Sequence, residues 1–325
     1  MPTPALIRYR PFQNWDPPAL AEIWRSQPPL RGRMQGLTPR LLEELVFARP
    51  YFDRQGLILA VDGERPVGFV HAGFGGNDDL SALDKSLGTT CHLLVAPHEQ
   101  RGEIQAELLR ASEAYLVASG VRQLFGGSAF PLNSFYLGLY GGSRLPGVLT
   151  SDLEQIAMFQ SAGYRERERR VLLNRPLANF RTPIDRRLMQ LRRRCEVIAV
   201  HDVTPDNWWE SCVWMHASWT RYELRFRDSA DALISATFWD ILPLSKSWGV
   251  QASGMVRVED TPEARAEGMT TFLLAEAFLD LQRNGAALME TQAFAKDVSL
   301  LALLKELGLA AYDEGLLFVK DGLPH

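Results

Sequence analysis

Met255-Val256-Arg257-Val258-Glu259-Asp260-Thr261-Pro262-Glu263-Ala264-Arg265-Ala266-Glu267-Gly268-Met269-Thr270-Thr271-Phe272-Leu273-Leu274 reads in one pass as strand, turn and helix. The β-prone run from Met255 to Val258 is stopped by Thr261-Pro262, a tight loop follows from Arg265, and the helix continues through residues 271–277. A helix that starts from a glycine-bearing turn after a strand presents unpaired backbone N–H groups and the positive end of its dipole. Gly268 lets an anion approach that backbone with no Cβ in the way. The same turn also occurs where nothing binds, so the stretch needs support from elsewhere in the chain.

That support is a repeat. At an offset of 165, Pro97 falls on Pro262, Gln100 on Arg265, Ile104 on Met269, Leu108-Leu109 on Leu273-Leu274 and Gly120 on Gly285. Both copies read strand, Pro, loop, helix, Gly, strand, the second strands being residues 122–125 and 287–291. A further amphipathic helix ending in Gly163 matches one ending in Gly308 at an offset of 145. The first copy therefore carries about twenty additional residues near 126–151.

The spacing Arg265-x-x-Gly268-x-Thr270 resembles the acyl-CoA pyrophosphate loop of the GNAT N-acetyltransferases, Gln/Arg-x-x-Gly-x-Gly/Ala. The element order through residues 5–174 is also similar to that fold. The resemblance implies an α/β (mixed α+β) chain of two tandem GNAT-like domains, each a mixed central sheet flanked by helices. The expected division is 1–174, a linker at 175–195, and 196–325. It further implies acetyl-CoA as co-substrate, held mainly by the second copy through Val258, Arg265, Ala266, Glu267, Gly268, Met269, Thr270 and Thr271. In the first copy Glu103 and Gln105 stand at the two small positions. A carboxylate about 5 Å from a phosphate charge costs roughly 3 kcal/mol at an effective dielectric near 20. Gly102, one place early, offers a register shift that would restore the turn, and Glu103 turning outward would remove the repulsion.

Totals narrow the alternatives. At 325 residues, 46% apolar and 23% charged, the chain is long enough for two cores. A formal charge of −4 argues against a nucleic-acid partner. No apolar run approaches the ~20 residues of a membrane span. Met1-Pro2-Thr3-Pro4 lacks the pattern of a secretory signal. Cys91, Cys195 and Cys212 are widely spaced and read as buried thiols, which with the other features predicts a reduced cytoplasmic protein without a metal site. A homo-oligomer is left open.

Elsewhere, Leu6 to Arg10 reads as the opening strand, and Asp62-Gly63 is a hairpin signal between two apolar runs. Residues 75–87 read as a loop, and 164–173 as the closing strand of the first domain. The segment 175–194 carries arginines expected on the surface. Trp208, Trp209, Trp214, Trp219, Trp239 and Trp248 read as core or interdomain packing. The second sheet, with strand candidates only at 233–241 and 248–252 before Val256, is predicted to be the shorter.

N-acyl transfer to an amine needs a base for the ammonium proton and a donor for the departing thiolate. Base candidates are Glu290, on the strand bordering the acyl cleft, Glu259 at a strand end, and Asp297. The resemblance places a tyrosine acid at Phe159 and Leu304, so that group is absent from both copies. Two functions follow: an N-acetyltransferase acting on the amine of a small molecule or peptide, or a tandem acyl-CoA-binding or scaffolding protein without turnover.

Overall fold

The computed structural model describes residues 7–321. The first copy runs β1 (Arg8–Pro11), α1 (Pro17–Arg25), α2 (Pro39–Leu42), β2 (Leu57–Asp62), β3 (Arg65–Gly76), β4 (Leu83–Val95), α3 (Arg101–Ala118) and β5 (Gln123–Gly126). It continues through β6 (Ser128–Ala129), β7 (Pro146–Leu149), α4 (Leu153–Ser161) and β8 (Arg165–Pro176). After α5 (Arg186–Arg194) the second copy repeats it as β9 (Cys195–Val203), α6 (Trp208–Val213), β10 (Trp219–Phe226), β11 (Ala232–Asp240) and α7 (Leu242–Trp248). It ends with β12 (Ala252–Glu259), α8 (Pro262–Ala266), α9 (Met269–Arg283), β13 (Leu288–Phe294), α10 (Val298–Glu306) and β14 (Ala310–Lys320). Leu6 lies outside the described residues.

The repeat extends to hydrogen-bond register. Thr89 lies opposite Phe125 in the parallel β4–β5 pair, and Gly254 opposite Glu290 in β12–β13, the same offset of 165. Bulges fall at Cys91 and Val256, again 165 apart. Beyond them each parallel pair splays into a V.

The strands form one sheet in the order β1-β2-β3-β4-β5-β14-β8-β13-β12-β11-β10-β9. This sequence is symmetric about the β14–β8 contact, and the last strand of each copy has crossed over. β14 pairs with β5 of the first copy, whereas β8 pairs with β13 of the second. The reading of 164–173 as the closing strand of its own domain is therefore corrected: β8 completes the second half. Its apolar run is central in the sheet, with Leu172 and Leu173 fully buried, as expected for a strand covered on both faces.

Three further expectations change. Most of 75–87 is sheet, because β3 reaches Gly76 and pairs with β4 from Leu83, leaving a short turn in which Asn77 Oδ1 accepts the Ala82 N–H. The second sheet is not the shorter: Trp219–Phe226 supplies a complete strand, and residues 242–248 are helical. Residues 207–218, whose pattern reads as a single helix, are helical only as far as Val213, and Trp219 enters β10.

The additional residues of the first copy form the centre of the molecule. Phe135, Tyr136, Leu137, Leu139, Tyr140 and Leu145 are all buried in a cluster shared with Trp24 of the first half and Trp209, Trp214 and Trp239 of the second. Burying each large side chain stabilises by about 2 kcal/mol. Trp209, Trp214 and Trp239 pack between the halves, as their sequence pattern suggested, and three indole N–H groups are used there. Trp209 donates to Asn133 Oδ1 at 3.0 Å, Trp239 to Ser143 O at 2.9 Å and Trp248 to Arg31 O at 2.7 Å. The α5 arginines lie on the surface as expected, while Leu188 and Leu191 turn inward. The three cysteines are free thiols, and no helix among the described residues is long and apolar enough to cross a membrane.

Shared strands couple the halves, so unfolding should be a single calorimetric transition with equal van't Hoff and calorimetric enthalpies. Gly147, at φ +95°, lies against the Leu316 backbone where β7 meets β14. Gly147→Ala should cost roughly 2 kcal/mol or more and lower that one transition as a whole. Two separated transitions, with only one shifted by the substitution, would show independent halves.

Candidate active-site clefts

In the first half the V between β4 and β5 is open. At its floor Leu93, Leu94 and Val95 line a cavity of about 190 Å³, closed by Arg33, Arg101 and the α4 start from Ser151 to Gln155. It adjoins a larger cavity of about 570 Å³ between α3 and α4, walled by small residues (Gly102, Ala106, Ala157, Ser161) with Arg110 and Lys320 nearby. A helix leaves its first N–H groups without intrahelical acceptors. Arg101 N donates to His98 O and Ile104 N to Gln100 O, which leaves the N–H group of Gly102 free at the cleft. Gly102 lines the larger cavity, and a Cβ there would meet nothing within 4 Å. Glu103 lines neither cavity; its charge acts instead on Tyr9 of β1, on the far side of α3. The helix begins at Arg101, and the early glycine takes the place that register had given to Glu103. Arg101 bridges the cleft to Glu154 at 2.6 Å.

The second loop spends its motif internally. Arg265 is held by Asp260 at 2.7 Å and Asp297 at 3.1 Å, and its pKa is raised chiefly by the hydrogen bond to Asp260. The Thr270 hydroxyl donates to Asp260 Oδ2 at 2.8 Å. Gly268 has φ +78° where α8 turns into α9, a conformation that favours glycine whether or not an anion binds. Leu188 of α5 lies 3.7 Å from where its Cβ would be. Val258 is half-buried on β12 and is packed against the second core, while Ala266 and Glu267 are exposed at the end of α8. Met269, Thr270 and Thr271 form the first turn of α9.

The V of the second half is filled from the first. Arg144 and Leu145 of the insertion lie between β12 and β13, Arg144 donating to Gln292 O at 2.9 Å. Glu290, at the closed end, is fully buried; the Ser143 N–H and the Tyr312 hydroxyl donate to it, and Gly142 packs directly on its carboxylate. Burial holds its carboxyl up at about 7, against the opposing pull of those donors and of Arg144. The insertion in this way seals it from solvent. Glu259 is more than half exposed, bonded to Ser235 and beside Arg257. Asp297 caps α10 and holds Arg265. The three candidate carboxylates are therefore not brought together.

A polar network that the sequence reading missed lies at the deep end of the first V. Buried Arg33 and Asp152 pair at 2.6 Å, and Asp152 also accepts from Tyr140 at 3.2 Å and from Gln155 Nε2 at 2.9 Å. The same amide nitrogen lies 3.3 Å from His92 Nδ1. Asp152 fixes the amide orientation, so Nδ1 is the acceptor and the ring proton sits on Nε2, which has no partner. Burial, with the Arg33 charge adding to it, lowers the His92 pKa well below its ordinary range and keeps the ring neutral. Its members come from four separate segments, so no local motif marks them.

Two measurements follow. Glu290 holds a proton in the folded state that the unfolded chain has released between pH 4.5 and 7. Stability should therefore fall as pH rises through that window, by up to about 3 kcal/mol, and level off above it. Glu290→Gln should abolish that slope, matching wild type near pH ~5 and exceeding it near pH ~8 in urea titrations. Asp260→Ala should cost about 2 kcal/mol by leaving Arg265 and Thr270 without their buried acceptor.

No protein-family model matches the sequence, and no curated protein matches it. Solved structures do match. A GCN5-related glucosamine N-acetyltransferase region of a fungal multi-domain GH3 β-N-acetylglucosaminidase aligns over 98% of this chain with TM-score 0.70 and 16% identity. The chain spans only 38% of that protein's length. A tandem GNAT protein from the clavulanic acid biosynthesis pathway aligns over 98% of this chain and 100% of its own, with TM-score 0.64 and 14% identity. A GCN5-related N-acetyltransferase from Sphaerobacter thermophilus covers 98% and 97%, with TM-score 0.61 and 13% identity. At such identities the likeness is one of fold, and it runs the whole length of the chain: this protein is a tandem pair of GCN5-related N-acetyltransferase folds.

Proposed function

We propose that the protein is an acyl-CoA-dependent N-acyltransferase that holds acetyl-CoA in the first half rather than the second. The observation that carries this is the open cleft between α3 and α4, continuous with the splayed edge of β4. The free N–H group of Gly102 suits the pyrophosphate, and Arg110 and Lys320, paired with Glu107 and Glu113, stand along the wall. The edge of β4 at Leu93 and Leu94, past the end of its pairing with β5, suits the pantetheine amides, while the Val95 carbonyl is taken by Gln27. His92, neutral and with an unpartnered Nε2–H, lies buried behind the cleft floor next to Leu93 and keeps that end of the cleft uncharged. The amine of a small molecule or peptide is the acceptor in this reading. In the second half Arg265 and Thr270 are already engaged and the V contains Arg144.

A second reading is acyl-CoA binding without turnover. It is favoured by Phe159 and Leu304, both fully buried at the positions where the family resemblance placed a tyrosine.

Calorimetry with acetyl-CoA separates the sites. Ala106→Trp fills the first cleft at an exposed position and should weaken binding at least about tenfold, whereas Ala266→Trp on the second loop should leave it unchanged. The reverse outcome moves the site to the second half. Binding without CoA release across a panel of amines favours the second reading, and no binding by wild type removes both.

A further inference from the structure

The filled V of the second half retains a cavity of about 230 Å³ beside the insertion. Its walls are Leu145, Trp214 and Val256, and two exposed rings, Phe130 and Phe294, stand at its mouth. The volume equals that of about eight liquid waters, the room of a small metabolite.

Its polar lining is incomplete in one direction. Gln292 and Arg170 are both more than nine-tenths buried, yet Gln292 Oε1 and Arg170 Nη1 have no partner. Arg144 Nε has none either, and the hydrogen bond of this guanidinium goes to a backbone carbonyl, not to a carboxylate. Burial lowers the Arg144 pKa to about 10. The acids facing the cluster match the arginines in number, but two of them go to one arginine and Arg144 contacts none. Glu210 and Glu259 are taken by Arg257, Glu168 by Arg170, and Glu290 behind Arg144 is held near 7. A buried guanidinium without a carboxylate is costly to the fold and is compensated when an anion arrives.

We infer that this cavity binds a small carboxylate with an apolar body. The carboxylate sits against Arg144 and Arg170, an N–H or O–H beside it donates to Gln292 Oε1, and the apolar part lies between Phe130 and Phe294. A phosphate dianion would bring more negative charge than the one unpaired guanidinium balances, and its apolar surroundings would go unused. This site stands apart from the acyl-CoA reading and does not depend on it.

Trp214 in the wall provides a fluorescence signal for titrating benzoate, L-phenylalanine, benzamide and inorganic phosphate, with calorimetry alongside. Benzoate and L-phenylalanine should saturate at millimolar concentration or below, L-phenylalanine more tightly because its ammonium reaches Gln292. Benzamide should bind at least about tenfold more weakly than benzoate, and Arg144→Gln should weaken benzoate by a similar factor without lowering the melting temperature. Acetyl-CoA affinity should be the same in wild type and Arg144→Gln, which separates this site from the first cleft. Should Arg144→Gln fail to fold, Phe130→Ala at the exposed mouth should weaken benzoate instead. The inference is overturned if no carboxylate saturates, if benzamide matches benzoate, if phosphate binds more tightly, or if the folded variant keeps full affinity.

Discussion

The antiparallel contact of β8 with β14 is the constraint on which the rest of this molecule depends. Those strands lie at the centre of the sheet, each having left its own half, and their register runs from Ala310 opposite Asn174 to Val319 opposite Arg165. Neither half has a complete sheet without the other's last strand. The exchange also brings β14 beside the first half's insertion. Its far edge is taken by β5 at Phe318–Lys320 and by β7 at Gly315 and Leu316, so one strand ties together both halves and the loop between them.

That crossing explains the glycines around it. Gly315 has the β7 backbone at Pro146 where a Cβ would go, and Gly147 has the Leu316 backbone in the same relation. Side chains at either place would push β7 off β14. With β7 seated, the preceding residues fold inward and place Gly142 and Ser143 over Glu290, and Arg144 into the second V. The closure of one cleft is thus a mechanical result of the strand exchange, not of any change in the second half's own β12 or β13.

The repeat, and with it the fold of each half, was legible because it rests on local pattern: proline after a strand, a leucine pair on a helix, a glycine at its end. The bulges at Cys91 and Val256 keep that spacing in the structure. The exchange was not legible, since the apolar pattern of 171–173 is the same whichever strand it pairs with. The partners of the motif at Arg265 were not legible for a related reason. Spacing records which residue types are present, not which partners they already have, and Asp260 takes both the arginine and Thr270. The reverse held in the first loop, where Glu103 looked prohibitive until helix phase placed it on the face toward Tyr9. The place of the insertion was not legible, because its aromatic and glycine content suits a surface excursion and an interface alike. Its burial depends on β14, more than 150 residues away in sequence.

One pair of equivalent residues shows how the two clefts came to differ in chemistry. His92 and Arg257 follow the two bulges at the same offset and begin the splayed part of each V. In the first half the residue is a neutral imidazole, and the charged groups behind it, Arg33 and Asp152, cancel in a buried pair. A thioester, polar but uncharged, can enter such a site without meeting a net field. In the second half the equivalent residue is a guanidinium held by Glu210, and the insertion adds Arg144 with no acid of its own. An uncharged pantetheine would there have to displace a hydrogen-bonded arginine from the Gln292 carbonyl and leave its charge buried, a cost of several kcal/mol. An anion meets the opposite balance, because it supplies the missing charge without displacing anything. The same backbone geometry, built twice, therefore presents a neutral site in the first half and a cationic one in the second once the first copy has inserted its loop into the second.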